Sequence, residues 1–337
     1  MKNVTIKDVA KAAGVSPSTV SRVISDSNRI SEETKELVRR TMRELGYHHN
    51  AIARSLVTQK TNTIGLVMAR PTQQAFANPF FSGIIQGIAA VTQKEHYSLI
   101  LSSTGDYREE QEETLKLFRN RRVDGVILMS SRRNDELIDQ LIKSGYPFVL
   151  IGRSPEHEGI PIVNNDNIKD TYDTVAFLLK RNYKKIIALS GPEEYIVSQD
   201  RAQGYIQALR EHGNMDPEII CVADFKFEDA YQGVLDYIKE NRKKFDAILA
   251  FDDMLALGAI RAIQEQGLRI PEDVGIIGFN DEPMLSYLKP ALSTVRLPIH
   301  RMGEEAARML IKMLNDDSYK GEEIILSTEL IIRDTVR

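Results

Sequence analysis

Cysteine is nearly absent from this chain, because Cys221 is the only one among 337 residues. A single cysteine cannot form an intrachain disulfide, and no group of cysteines and histidines has the spacing of a zinc site. We therefore expect no disulfide framework, no structural metal and no cofactor. A reducing cytosol suits this composition, so we expect a cytoplasmic protein.

Long apolar runs are also absent. No stretch approaches the roughly 18 consecutive apolar residues that a membrane-spanning helix requires. The first residues lead directly into an amphipathic pattern, without the apolar core of a signal peptide. We therefore expect neither secretion nor a membrane partner.

The common catalytic motifs are missing as well. The sequence contains no P-loop, no G-x-G-x-x-G turn, no G-x-S-x-G elbow and no H-E-x-x-H helix. Asp252 and Asp253 are adjacent, but neighbours at a strand–helix junction point in different directions, which argues against an acid–base pair. These absences predict that the chain is not an enzyme.

Positive charge is concentrated near the amino terminus. Residues 1–60 contain eleven lysines and arginines against six aspartates and glutamates, a balance of +5 in a chain of net charge −4. A basic head on an acidic body indicates that the head binds a polyanion. A chance fluctuation on solvated helices is the alternative that charge alone leaves open.

Three short helices are predicted in the head. Helical spacing of apolar residues predicts a first helix that ends at Gly14. Ser16 and Pro17 fit the N-cap and the first position of a second helix. Ser31 fits the N-cap of a third helix, which Gly46 would end.

The second of these helices has a polar outer face. Ser18, Ser21, Arg22 and Ser25 lie at i, i+3, i+4 and i+7, opposite the apolar stripe. A helix fits the major groove of B-DNA, where arginine reads guanine and hydroxyls bond base edges or phosphates. Two helices joined by a tight turn are typical of a helix-turn-helix DNA-binding unit, and a plain packing motif is the alternative.

A different pattern begins at Ile64. Short runs rich in isoleucine, valine and leucine alternate with helical stretches, which predicts parallel strands buried on both faces. The eight runs are 64–68, 98–102, 125–129, 148–151, 186–189, 219–223, 247–250 and 275–279. Eight strands exceed one ordinary sheet, so we expect two α/β lobes with a cleft between them.

Several short sequence motifs occur together in this chain. In the head they are 4–10 (VTIKDVA), 13–16 (AGVS), 19–24 (TVSRVI), 46–47 (GY), Asn50 and 53–56 (ARSL); in the body they are 252–258 (DDMLALG), 278–281 (GFND) and 330–333 (LIIR). Together they closely resemble the LacI/GalR family of bacterial transcription regulators. The resemblance covers the whole chain and implies a DNA-binding repressor whose partner is a near-palindromic double-stranded operator.

The resemblance also implies a domain organisation. We expect an all-α helix-turn-helix headpiece at 1–49, a hinge helix and linker at 50–63, and a two-lobed α/β body of parallel sheets at 64–337, similar to periplasmic binding proteins. One lobe is expected at about 64–161 and 296–325, and the other at about 162–295 and 326–337.

The same resemblance implies the residues that contact DNA. They are Thr5, Ser16, Pro17, Ser18, Thr19, Ser21, Arg22 and Arg29 in the headpiece and Asn50, Ala53, Arg54 and Leu56 in the hinge helix. Pro17 and Ser18 offer little hydrogen-bond readout, so Arg22 and groove shape would carry much of the discrimination between operators. Leu56 would be an apolar wedge in the minor groove, and packing of Leu56 on the body is the alternative.

A sugar effector is expected in the cleft, because open α/β lobes hold ligands at the carboxyl ends of their strands. The residues that the resemblance implies are Phe80, Arg153, Asp166, Arg201, Phe225, Asp252 and Asn280. Charged and amide groups would bond to adjacent hydroxyls, and aromatic rings would stack on the apolar sugar face. The alternatives are a surface ion pair for Arg201, a helix N-cap for Asp252 and core packing for the phenylalanines.

A subgroup is suggested by four runs, 151–153 (IGR), 165–167 (NDN), 197–201 (VSQDR) and 279–281 (FND). They are similar to the maltose-operon repressors of Gram-positive bacteria, which implies maltose or a malto-oligosaccharide as effector. A purine or a phosphorylated carrier protein is the alternative effector, and a sugar-binding protein or sugar enzyme with a helical head is the alternative function. No leucine heptad follows Arg333, so we expect a homodimer rather than a tetramer.

Overall fold

The structure is a computed structural model that describes residues 4–24, 27–47, 60–68, 78–129, 131–212, 216–241 and 245–337. The chain divides into two units, residues 1–61 and residues 62–337. Each unit has its own apolar core, so each is described by itself.

The first unit contains the three predicted helices, α1 (Ile6–Ala13), α2 (Pro17–Ile24) and α3 (Glu32–Glu44). Helices of eight residues are too short to be stable alone, so packing must hold α1 and α2. Val9, Val20 and Val38 supply one fully buried side chain from each helix. Each such burial stabilises the fold by roughly 2 kcal/mol.

Local signals in the sequence set the ends of these helices. Gly14 adopts a left-handed backbone, with φ 67°, and ends α1. The Ser16 hydroxyl accepts a hydrogen bond from the Thr19 amide at 3.1 Å, and the Ser31 hydroxyl accepts one from the Thr34 amide at 3.4 Å. Ser16 and Ser31 therefore act as the N-caps that the sequence predicted.

The second unit contains two six-stranded sheets. The strands of the first sheet are β1 (Thr63–Met68), β2 (Ser98–Ser103), β3 (Gly125–Leu128), β4 (Phe148–Ile151), β5 (Ile162–Asn164) and β11 (Glu323–Ile325). They lie in the order β11-β5-β4-β3-β1-β2, and all neighbouring strands are parallel.

The strands of the second sheet are β6 (Ile186–Ser190), β7 (Ile219–Cys221), β8 (Ala247–Ala250), β9 (Gly275–Asn280), β10 (Ser293–Arg296) and β12 (Glu329–Ile331). They lie in the order β12-β10-β9-β8-β6-β7.

Helices cover both faces of each sheet, as parallel strands require. In the first lobe these helices are α4 (Pro79–Lys94), α5 (Tyr107–Arg119), α6 (Glu136–Ser144) and α11 (Ile299–Asn315). In the second lobe they are α7 (Asn167–Lys180), α8 (Ile196–Glu211), α9 (Phe227–Asn241) and α10 (Asp253–Glu265), with a 3₁₀ helix at Pro283–Tyr287. Ile64 of β1 packs in a cluster with residues of α4 and α11, whereas Val67 packs with residues of α5 and α6. The predicted two-lobed α/β fold is confirmed.

The structure also corrects some of the sequence predictions. The strands β5, β10, β11 and β12 were not predicted, because none of them contains more than two consecutive apolar residues. One of them, β12, is antiparallel to β10, so the second sheet is not purely parallel. Ile162 pairs with Leu150 in the first sheet, although 162 was expected in the other lobe. Arg296, expected in the first lobe, pairs with Asn280 in the second sheet.

The chain passes between the two sheets three times within the described residues, after β5, after β10 and after β11. Each lobe is therefore built from separate segments of sequence. No helix in the described part of the chain is both long enough and apolar enough to cross a membrane.

Candidate functional site

The outer surface of α2 is polar and its inner surface is apolar. Val20 and Val23 are buried in the core of the first unit. The exposed residues of the helix include Pro17, Ser18, Ser21 and Arg22. A helix with hydroxyls and a guanidinium on its outer side has the groups that read base edges and phosphates in the major groove.

The remaining predicted DNA contacts of the first unit lie at helix ends and turns. The Thr5 hydroxyl and amide donate hydrogen bonds to Asp8 Oδ2 at 2.7 and 2.8 Å, at the start of α1. The hydroxyls of Ser16 and Thr19 lie 2.9 Å apart at the start of α2. The amides at a helix amino terminus attract phosphate, so both positions suit contacts with the phosphate backbone of DNA. Arg29 is exposed in the turn before α3.

The predicted hinge contacts Asn50, Ala53, Arg54 and Leu56 lie outside the described residues.

A cleft lies in the second unit. Its walls include residues that end or follow β3, β4, β5, β8 and β9. This is the edge of parallel sheets where α/β proteins hold ligands. Six of the seven predicted effector residues line the cleft: Phe80, Arg153, Arg201, Phe225, Asp252 and Asn280.

Arg201 lies at the buried side of the cleft and is only 4% exposed. Its Nε donates a hydrogen bond to Asn167 Oδ1 at 2.9 Å, and a second nitrogen donates to the Phe251 carbonyl. Its guanidinium lies 4.1 Å from the ring centroid of Phe279. Burial lowers the pKa of Arg201 to about 10, and the nearby charge of Asp252 acts in the opposite direction. The surface ion pair considered for this residue is thus wrong.

Asp252 joins both lobes through hydrogen bonds. Its Oδ2 accepts from Asn280 Nδ2 at 3.0 Å and from Asn78 Nδ2, in the first lobe, at 3.3 Å. Its Oδ1 accepts from the Met254 amide at 2.7 Å, so Asp252 is also the N-cap of α10. Burial raises the pKa of Asp252 above its ordinary value. A ligand hydroxyl that bonds to this carboxylate would thus join an existing network.

The backbone around the cleft adopts unusual conformations at two positions. Asn280 has φ 123°, a region that residues with a side chain rarely occupy, and its hydrogen bond to Asp252 holds it there. Gly152 also has φ 123°, and an added Cβ would lie 2.9 Å from Ser131 Oγ. Strain of this kind concentrates at binding sites.

Arg153 already has a partner across the cleft. Its Nε donates to Asp200 Oδ2 at 2.7 Å, and a terminal nitrogen contacts the other carboxylate oxygen. Arg153 follows β4 in the first lobe and Asp200 lies on α8 in the second, so this pair also spans the two lobes.

The two phenylalanines predicted to contact the effector, Phe80 and Phe225, are only partly buried. Phe80 packs edge-on against Phe81, with ring centroids 5.5 Å apart. Phe225 lies 6.0 Å from the ring of Tyr195. A side chain at Gly191 would lie 2.5 Å from the Phe225 ring, so glycine is needed to seat it. Rings at the rim of a polar cleft suit stacking on a sugar.

Asp166 does not line the cleft, contrary to the prediction. It is exposed, and its carboxylate accepts a hydrogen bond from the Lys169 amide at 3.0 Å as the N-cap of α7. Its neighbours Asn165 and Asn167 line the cleft instead. The prediction missed them because β5, which places them, was not recognised as a strand.

Other lining residues were also missed. Asn78, Asn164 and Tyr195 were not predicted as ligand contacts. Asn78 precedes Pro79 and caps α4 by accepting from the Phe80 amide at 3.0 Å, so its sequence signal is that of a helix start. An amide at the end of each parallel strand is the signal that could have found Asn164.

Known proteins resemble this chain over its full length. A sequence profile for bacterial regulatory proteins of the lacI family matches residues 5–50, and a profile for a periplasmic binding protein-like domain matches residues 175–336. The HTH-type transcriptional regulator RegA of Clostridium saccharobutylicum is 35% identical over 98% of both chains. The chain belongs to the LacI family. The HTH-type transcriptional regulator CelR of Thermobifida fusca is 32% identical, over 98% of both chains.

Solved structures of the LacI family share the fold. A complex of the transcriptional regulator CelR with cellobiose has a TM-score of 0.75 and 29% identity, covering 98% of this chain and 99% of the other. A lac repressor dimer bound to operator and the anti-inducer ONPF has a TM-score of 0.86 and 25% identity, covering 99% of each chain.

This LacI-family chain is a transcriptional regulator and not an enzyme, as its relatives are regulators. The adjacent carboxylates diverge as predicted: Asp252 faces the cleft, whereas Asp253 accepts from the Thr294 hydroxyl at 2.7 Å and from the Glu282 amide at 3.0 Å. No cluster of potential metal ligands occurs among the described residues.

Glu282 introduces a pH dependence into this LacI-family fold. Its side chain is 4% exposed, and Oε1 finds no hydrogen-bond donor among the described residues. Burial raises the pKa of Glu282 to about 7, and the charges of Asp252 and Asp281 add to this effect. Because this folded pKa exceeds the unfolded value, Glu282 favours folding at low pH, and that contribution is lost as pH rises towards 7.

We therefore expect Glu282→Gln to raise the thermal unfolding midpoint by a few degrees at pH 8 and by much less at pH 5. Differential scanning calorimetry at both pH values measures the change. Glu272→Gln removes an exposed carboxylate from the same lobe and is the matched control. Equal shifts of the Glu282→Gln protein at pH 5 and pH 8 would contradict the prediction.

Proposed function

We propose that this chain is an operator-binding repressor whose affinity for DNA is set by a sugar bound in the cleft, and that the sugar is maltose or a malto-oligosaccharide. The observation that carries the proposal is the cleft itself, where the buried polar side chains of Arg201, Asp252 and Asn280 line the same walls as the half-buried rings of Phe80 and Phe225. The helix-turn-helix unit on the same chain supplies the DNA-binding half of the function.

The chemistry of the cleft supports a polyhydroxyl ligand. Carboxylate and amide groups can accept and donate hydrogen bonds to neighbouring hydroxyls, and Phe80 and Phe225 offer apolar faces. The identity of the sugar as maltose rests on the sequence resemblance described above.

The DNA contacts are proposed as the residues predicted in the headpiece, with Arg22 as the main reader of bases. Residues 50–62 are proposed as the hinge helix and linker, since Thr63, which was expected in the linker, begins β1. Leu56 is proposed as the minor-groove wedge. We propose a homodimer on a near-palindromic operator, because two identical heads read two related half-sites. Its relative the lac repressor is described as a dimer bound to operator. A regulator of this kind would act in the bacterial cytoplasm, where its operator is.

A purine effector is the second candidate. Two relatives, 33% identical over 99% of this chain, are the HTH-type transcriptional repressors PurR of Vibrio atlanticus and Vibrio vulnificus. Amide groups and aromatic faces also suit a flat heterocycle. Binding of a purine but not of a sugar would decide for this alternative.

The experiment uses the full chain and an operator selected in vitro from a pool of random duplexes. Fluorescence anisotropy measures operator binding during titration with maltose, with cellobiose, and with hypoxanthine. We expect a near-palindromic site, affinity that falls steeply with salt, and a change in operator affinity with maltose at lower concentrations than with the other two compounds. An operator affinity that none of the three compounds changes would contradict sugar gating.

A further inference from the structure

The cleft is electrically balanced. Among the described residues that line it, the cations are Arg153 and Arg201 and the anions are Asp200 and Asp252. A ligand in the cleft therefore meets two positive and two negative side chains. Whether the cleft can bind an anionic ligand depends on how strongly each arginine is already bound to a carboxylate of the protein.

Asp200 accepts hydrogen bonds from two nitrogens along one edge of the Arg153 guanidinium. The Nε–Oδ2 distance is 2.7 Å, and the second contact joins a terminal nitrogen to Oδ1. Such a two-point pair between guanidinium and carboxylate is among the strongest that side chains form. The Asp200 side chain is 4% exposed and that of Arg153 is 33% exposed, so the carboxylate depends on Arg153 for compensation.

Arg201 is surrounded by negative charge. Its guanidinium bonds to Asn167 and to the Phe251 carbonyl, and the charges of Asp252, Asp170, Asp253 and Asp200 all act on it. An anionic ligand approaching Arg201 would be repelled by these carboxylates. Its positive charge is thus committed to the protein.

We infer that Asp200 is a specificity-determining residue, which restricts the cleft to uncharged sugars and excludes sugar phosphates and sugar acids by holding the guanidinium of Arg153. This inference rests on the proposed function, because it narrows the class of sugar. An anion that bound Arg153 would leave the buried Asp200 carboxylate without its hydrogen-bonded partner, and that penalty falls on charged ligands alone. A neutral sugar can bond to the pair without separating it.

The test uses the full chain and its Asp200→Asn variant, which keeps the side-chain shape and removes the charge. Isothermal titration calorimetry measures the dissociation constants of maltose, maltose 6′-phosphate and inorganic phosphate. We expect the unmodified chain to bind maltose at least about tenfold more tightly than its phosphate, and Asp200→Asn to shift that ratio at least about tenfold towards the phosphate. Inorganic phosphate should bind measurably only to the variant.

Two further variants of the chain test whether the effect comes from the Arg153–Asp200 pair. Asp173→Asn removes an exposed carboxylate that pairs with Lys169 on α7, so it changes the net charge equally without touching the cleft, and its ratio should equal that of the unmodified chain. Adding Arg153→Gln to Asp200→Asn should abolish the gained affinity for phosphate, because the freed cation is then gone. Thermal unfolding establishes that each variant is folded.

The outcomes separate the two hypotheses. An unchanged ratio in a folded Asp200→Asn protein, or tight binding of maltose 6′-phosphate by the unmodified chain, would overturn the inference and leave sugar binding intact. If no protein binds maltose but Asp200→Asn gains affinity for inorganic phosphate, the role of Asp200 in excluding anions stands and the proposed maltose response fails.

Discussion

Arg201→Ala protein should require at least about a hundredfold more maltose than the unmodified chain to change its affinity for operator DNA. The guanidinium bonds to Asn167 and to the Phe251 carbonyl and lies over the Phe279 ring, so its loss removes three contacts of the cleft at once. It also leaves Asp252 without a buried counter-charge. Removing one partner from a buried charged network typically costs about 3–5 kcal/mol, so the thermal midpoint should fall as well.

Operator binding without sugar should survive this change, because the three-helix headpiece has its own core. Anisotropy titrations with operator and maltose measure both properties on one sample. Arg210→Ala removes an exposed arginine from the same helix and serves as the control. Arg201→Lys keeps the positive charge but loses the planar guanidinium, so this variant should change its operator affinity only weakly when maltose is added. Response of a folded Arg201→Ala protein at ordinary maltose concentrations would remove Arg201 from the site.

Arg22→Ala is expected to weaken operator binding by about 10- to 100-fold, the contribution of one good guanidinium–guanine pair. Non-specific DNA should lose much less affinity, because there Arg22 is one positive charge among several. The headpiece should remain folded, since Val20 and Val23, not Arg22, form the buried face of α2.

Anisotropy with the selected operator and with a random duplex, at two salt concentrations, measures this difference. Arg40→Ala is the control, because Arg40 is an exposed arginine of α3 that pairs with Glu44. Equal losses on both duplexes would show that Arg22 contacts phosphate and does not read bases.

Much of the fold could be predicted because its signals are local. The eight predicted strands all occur. Six of them are buried on both faces, as strands covered by helices on both sides should be, whereas the edge strands β2 and β7 are only partly buried. Strands β5, β10, β11 and β12 could not be predicted, because none has a continuous apolar run and each forms only when a neighbouring strand edge is available. That edge depends on chain segments far apart in sequence, as in the pairing of Ile324 with Val163.

The site was predicted best where a residue's identity is tied to its position in a family motif. Arg201, Asp252 and Asn280 line one cleft, as the resemblance implied, and Asn280 is hydrogen-bonded to Asp252. The sequence could not predict the hydrogen-bond partner of each side chain in the cleft. Nothing local indicates that Arg153 meets Asp200 across two lobes, or that Asp252 is both a helix cap and part of the cleft.

The three passages of the chain between the sheets limit how the lobes can move. Lobes joined by several short connections turn about those connections as rigid bodies, as in hinged binding proteins. Ligands of different length would then fix different angles along the same rotation. A series of malto-oligosaccharides should therefore act as a graded set of partial and full effectors, with chain length tuning the strength of the transcriptional output.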